Sequence, residues 1–225
     1  MLKIVVFDSG YGGEFFADQL AEALPIVEIL RVINWREANK ILSDVHAARH
    51  VAEASLRPYL GKVDLIIFAN YLLSLSSLKY FKHKYQKQNF LGLELKTPDT
   101  FIKRDVLVLS TTAVSKTSNF RNFVFRLKRK TKILNLDTWP AKIDDGELAF
   151  LEIKTTLQTF LTKNPKFHPE EVILASAQFN DIKTDLKHFF GQNLRIYDGF
   201  DDAVRATCGI LRIRGGKKKK HNMVK

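Results

Sequence analysis

The chain has 225 residues, 45% of them hydrophobic and 27% charged, which is enough apolar material for one large core or two small ones without metal or disulfide support. A single cysteine, Cys208, excludes an intramolecular disulfide, and no run approaches the roughly 18 to 20 apolar residues that cross a bilayer. The formal charge of +12 is unevenly placed: residues 79–132 hold 14 Lys/Arg against Glu94, Asp99 and Asp105, residues 214–225 add six more, and the remainder is net acidic.

Residues 1–7 run directly into a strand pattern, without the apolar stretch and cleavage site of a secretory leader, so a soluble cytoplasmic protein is expected. Residues 4–7 form a β-branched and aromatic run ending in Asp8-Ser9-Gly10-Tyr11-Gly12-Gly13, after which Phe16, Leu20 and Ala23 recur at helical spacing. The pattern is strand, glycine loop, helix. Residues 26–33 read as a second strand and 38–60 as one long helix. Residues 63–69 are almost continuously apolar, as in a strand buried on both faces. Residues 75–85 read as the helix that follows.

The second half repeats this rhythm. Strands are predicted at 90–95, 106–110, 132–136, 172–176 and 194–197, with helices at 118–128, 145–161, 182–190 and 203–213. Such alternation predicts an α/β protein of two pseudo-symmetric three-layer α/β/α units with mainly parallel sheets and a cleft between them. The expected division is residues 1–90 plus 196–213 for the first unit and 91–195 for the second, with 214–225 a disordered basic tail.

In open parallel sheets ligands sit beyond the carboxyl ends of the strands, which directs attention to the loops after Phe7, Ala69, Ser110 and Ser176. The first, Phe7-Asp8-Ser9-Gly10-Tyr11-Gly12-Gly13, resembles the N-terminal loop of the glutamate racemases, part of the Asp/Glu racemase family. Phe68-Ala69-Asn70-Tyr71 resembles that family's Ala-Cys-Asn-Thr, and Leu174-Ala175-Ser176-Ala177-Gln178-Phe179 its Leu-Gly-Cys-Thr-His-Tyr. Residues 110–114 are similar to its Thr-x-x-Thr-Val loop, and Asp144 lies nearest its glutamate. The resemblance implies contacts from Asp8, Ser9, Asn70, Ser110, Thr111, Asp144 and Ser176 to a small amino-acid or anionic ligand. It also sets Ala69 and Ser176 at the two thiol positions, with Asp8 and Gln178 in supporting roles.

Racemisation without a cofactor requires one acid/base group on each face of Cα. Alanine carries no exchangeable proton, a serine hydroxyl needs an adjacent base, and the amide of Gln178 is not one. The expected function is therefore a glutamate racemase-like protein that is inactive as a racemase, with no catalytic residue, cofactor or metal assigned. Asp8 and Ser9 also suit plain helix capping, Cys208 a packed position, and His46 and His50 a solvated helix face.

Two alternatives come from other classes. Arg121, Arg126, Lys128, Arg129, Lys130 and Lys132, interleaved with Phe120, Phe123 and Phe125, and the tail lysines Lys217, Lys218, Lys219 and Lys220 would suit RNA or another polyanion. A repurposed or residually active isomerase would need a base for Ser176, and Asp144 is the loop carboxylate at hand. A homodimer is the remaining partner expectation, and none is expected with a membrane.

Overall fold

The inner strands of both halves are apolar on both faces, and each carries its helices on the two sides that this leaves to be covered. The computed structural model describes residues 1–95, 105–127 and 130–213. Strand β1 (Leu2–Asp8) pairs in parallel with β2 (Val27–Ile33) and β3 (Leu65–Phe68), and β3 pairs with β4 (Phe90–Gly92), giving the order β2-β1-β3-β4. The second sheet repeats this order with β5 (Asp105–Ser110), β6 (Thr131–Asn135), β7 (Pro169–Leu174) and β8 (Arg195–Tyr197) as β6-β5-β7-β8, again all parallel. No helix among the described residues is long and apolar enough to cross a membrane.

Strand alternation decides which core each residue enters. Ile4, Val6, Leu65, Ile67 and Ala69 from the first sheet share one apolar cluster with Val106, Val108, Ile173 and Ala175 from the second. The odd-phase residues turn outward: Val5, Phe7, Ile66 and Phe68 join a second cluster, and Leu107, Leu109, Val172 and Leu174 a third. The shared inner cluster also takes Phe16 and Leu20 of α1 (Tyr11–Ala23). It is closed by Phe200 and Ala203 of α11 (Phe200–Leu211).

Several elements differ from the sequence pattern for local reasons. The expected helix over 38–60 is two, α2 (Ala38–Ser43) and α3 (Val45–Leu56), because Asp44 takes extended backbone at φ −134° and its carboxylate accepts the Ala47 N–H at 2.7 Å. Helix α4 (Tyr71–Ser76) is capped by Asn70, and α5 (Leu78–Lys84) follows after a break at Ser77. Between α6 (Thr112–Ser115) and β6 lies α7 (Ser118–Arg126). The helix expected from 145 is also divided. It becomes α8 (Trp139–Asp144) and α9 (Phe150–Thr162), and Gly146 in the intervening turn has φ +71°. Helix α10 (Lys183–Phe190) precedes β8.

The boundary expected at 90/91 falls inside β4, whose residues Phe90–Gly92 pair with β3 of the first sheet. At the other end, β8 stays in the second sheet through Tyr197, so chain crosses between the units after each of these strands. The expected tail, 214–225, lies outside the described residues.

Gly209 sits inside α11 with open space where a Cβ would be. Gly209→Ala is therefore expected to raise stability by about 0.5 to 1 kcal/mol through backbone entropy alone, measured as a higher urea midpoint with unchanged slope.

Candidate functional site

The two sheets present the ends of β1, β3, β5 and β7 to one another, and the backbone there is arranged twice. Ala69 N–H donates to Phe7 O (2.9 Å), and Ala175 N–H to Leu109 O (2.8 Å). Likewise Asn34 N–H donates to Asp8 O (2.9 Å), and Leu136 N–H to Ser110 O (2.8 Å). These pairs make Asp8 the counterpart of Ser110, Ala69 of Ala175, and Asn70 of Ser176.

The resemblance pairs Ala69 with Ser176, whereas the backbone pairs Asn70 with Ser176. Strand parity is the reason: the Ala69 methyl is fully buried in the shared core, as is that of Ala175. Asn70, Thr111, Ser176 and Gln178 together line a small cavity, with Tyr71 and Ala177 among the residues completing its wall. Its volume is about 10 Å³, room for a single water. Ser9 is fully buried beside Asp8, and Ser110 is fully buried with its hydroxyl donating to Thr111 O at 3.2 Å. Neither lines the cavity.

Each polar side chain around the cavity has a partner that fixes it. The Asn70 side chain bridges two elements, with Oδ1 accepting the Leu73 N–H at 3.1 Å to cap α4 and Nδ2 donating to Asp8 Oδ1 at 3.0 Å. The Ser176 hydroxyl donates to Gln178 Oε1 at 2.8 Å. Gln178 Nε2 in turn donates to Asp144 Oδ2 at 3.5 Å, the long limit of such a bond. Asp144 Oδ1 accepts the Tyr11 N–H at 2.7 Å.

That last contact joins the two units. Tyr11 opens α1, where unpaired N–H groups and the helix dipole favour an anion, and the anion there is the carboxylate of Asp144 from the second unit. Close approach makes it workable: a Cβ on Gly12 would stand 2.5 Å from Ala177 Cβ and 2.6 Å from Gln178 N, and one on Gly10 would overlap the Asp144 carboxylate. Glycine is required at Gly12, where two of the contacts are backbone atoms, whereas at Gly10 the Asp144 side chain would have to move.

Burial raises both site carboxyls. Loss of solvation pushes Asp8, fully buried, to about 7, against the hydrogen bonds from Ser9 and Asn70 and with a further rise from the nearby charge of Asp144. Its Oδ2 is buried without a hydrogen-bond partner, so no donor there stabilises the ionised form. Asp144 is raised to about 6, chiefly by desolvation, with the bonds from Tyr11 and Gln178 opposing.

The sequence pattern does not single out Tyr11, Tyr71 or Asp137. Tyr71 follows Asn70 directly and is buried, its hydroxyl donating to Asp198 O at the crossover after β8. Asp137 accepts both the N–H and the hydroxyl of Thr112, each at 2.6 Å. An acidic residue just beyond a strand end was the available signal for Asp137. Nothing in the sequence marks Tyr71.

The basic residues lie elsewhere. Arg121 and Arg126 are exposed on α7 and Lys132 on β6, while Lys130 is paired with Asp105 at 2.8 Å. Lys128, Arg129, Lys217, Lys218, Lys219 and Lys220 lie outside the described residues. A wider concavity of about 930 Å³, bordered by Lys79, Phe123, Arg126, Tyr197 and Arg205, contains none of the residues around the small cavity. No group of three or more His, Cys, Asp or Glu among the described residues could hold a metal ion, and Cys208 is partly buried against the shared core.

Two pseudo-symmetric, all-parallel α/β units meeting strand end to strand end define a class of protein. The fold is that of the Asp/Glu racemases. Glutamate racemase from Campylobacter jejuni superimposes with a TM-score of 0.78 at 19% identity, covering 97% of this chain and 88% of that one. The Escherichia coli glutamate racemase, solved with L-glutamate and the activator UDP-MurNAc-Ala, gives 0.77 at 19% identity over 96% and 84%. Picrophilus torridus aspartate racemase gives 0.65 at 16% over 96% of both chains. No protein-family model and no curated protein matches the sequence.

Proposed function

We propose that this chain is a racemase-fold protein that does not racemise amino acids and whose inter-unit site binds a small amino-acid or anionic ligand when the two units part. The observation that carries the reading is that Asn70 and Ser176 both line the small cavity. The internal pairing of the two halves supports Asn70, rather than Ala69, as the counterpart of the family's first thiol. Neither group is a base. The serine proton is already given to an amide oxygen, and an amide neither accepts a carbon-bound proton nor returns one at useful rates. Asp8, whose Oδ1 accepts from the Asn70 amide, is fully buried and does not line the cavity.

Ligand binding requires opening, because about 10 Å³ admits one water and no amino acid. An incoming carboxylate would take over the α1 N-terminus from Asp144, exchanging one anion for another at the same N–H.

The test is proton NMR in heavy water with D- and L-glutamate and D- and L-aspartate at high protein concentration. Protein-dependent broadening of ligand resonances with no loss of the Cα proton signal is the expected result. Exchange that scales with protein and disappears in Asp8→Ala would overturn the inactive reading and make Asp8 a base. Absence of any broadening would overturn the ligand reading.

A further inference from the structure

Helix α7 turns its apolar stripe inward: Phe120 and Leu127 are buried, and Phe123 and Val124 pack partly against the shared core. The opposite stripe carries Arg121 and, one turn on, Phe125, which is 85% exposed. Leaving a phenylalanine in water forgoes the burial that nine of the chain's 17 phenylalanines have. One exposed apolar residue is ordinary by itself. Its setting is not.

Residues 106–136 contain Lys116, Arg121, Arg126, Lys128, Arg129, Lys130 and Lys132 and no Asp or Glu. Arg121 and Arg126 have no carboxylate partner among the described residues. The edge strand β6 that follows the helix exposes Lys132 and leaves Ile133 39% exposed.

From these features we infer that the outer face of α7 binds single-stranded nucleic acid, with Phe125 as a base-stacking platform and Arg121, Arg126 and Lys132 meeting phosphates. The chemistry selects this partner. A protein partner would require a contiguous apolar patch, and on this stripe Phe125 is flanked by Arg121 and Asn122. A folded duplex presents no unstacked base to an aromatic ring, whereas a single strand supplies a π-face and a phosphate at every nucleotide. This surface is separate from the cavity between the units, so it stands or falls independently of the ligand reading.

The experiment is fluorescence anisotropy of a labelled uridine homopolymer with the full chain, across a salt series, and inorganic polyphosphate as a second probe. Binding should weaken linearly in log–log with salt. Phe125→Ala should lower RNA affinity by roughly 5- to 100-fold and leave polyphosphate affinity and the salt slope unchanged. Phe125→Tyr should retain binding, and Arg121→Ala should reduce the slope by about 0.7. Because both side chains are exposed, the variants should fold as the unaltered chain does. The inference is overturned by no RNA binding at low salt, or by equal losses for RNA and polyphosphate in Phe125→Ala. It is also overturned if sedimentation shows self-association that Phe125→Ala abolishes, since a second copy would then cover the ring.

Discussion

Asp8→Asn is expected to remove a fall in stability of about 2 to 4 kcal/mol that the unaltered chain undergoes between about pH 4 and 7. Unfolded, this carboxyl ionises near its ordinary 3.8; folded, burial holds it to about 7. Between those values the unfolded chain has released a proton that the folded chain still binds. Stability therefore declines as pH rises through that window and levels off above the folded value. Asparagine reproduces the protonated carboxyl in shape, keeps an acceptor for Asn70 Nδ2, and never ionises. The difference between urea-derived stabilities of the two proteins, measured at several pH values, isolates this group from all others. Parallel profiles would mean that Asp8 is solvated. Asp144, raised to about 6, contributes a slope of the same sign over the lower part of the window, which Asp144→Asn removes separately.

Much of the fold is legible in the sequence because strand burial is written in composition. Runs such as Leu65–Phe68 and residues 106–109 are apolar at every position, so each fixes a central strand without help from its neighbours. Helix breaks are less legible, since one polar residue decides them. Asp44 interrupts an otherwise unbroken apolar periodicity by capping α3 with its own carboxylate, and that choice depends on the backbone turning there. In the site, the residues fall into two hydrogen-bonded groups around the junction, Asp8 with Asn70, and Ser176 with Gln178 and Asp144. The internal backbone pairing sets Asn70, not Ala69, opposite Ser176. Motif spelling favours Ala69, but strand parity sends Ile67 and Ala69 into the same core as Ile173 and Ala175, and a one-residue shift exchanges the two faces of a strand. How far the cavity is closed cannot be read from sequence at all, because it depends on Gly12 of one unit meeting the backbone of Ala177 and Gln178 in the other.

Gly12→Ala tests that closure. Alanine ordinarily favours a helix over glycine by about 1 kcal/mol, and Gly209→Ala should show that gain. At Gly12 the new Cβ would meet Ala177 Cβ at 2.5 Å, and the carbonyl carbon of Ala177 and the nitrogen of Gln178 at 2.6 Å each. Two of those three are backbone atoms that no rotamer change can move, so α1 and the loop after β7 must separate. A net loss of about 1 to 3 kcal/mol is expected in urea unfolding, opposite in sign to Gly209→Ala. The separation should also break the Tyr11 N–H to Asp144 bond, read as faster amide exchange and a shifted Tyr11 resonance. Asp144→Ala should reproduce that spectral change at a smaller cost in stability, since it removes the bond without forcing the backbones apart. If Gly12→Ala were as stable as the unaltered chain with its Tyr11 amide still protected, the units would not meet at this glycine, and the closed cavity between Asn70 and Ser176 would lose its physical basis.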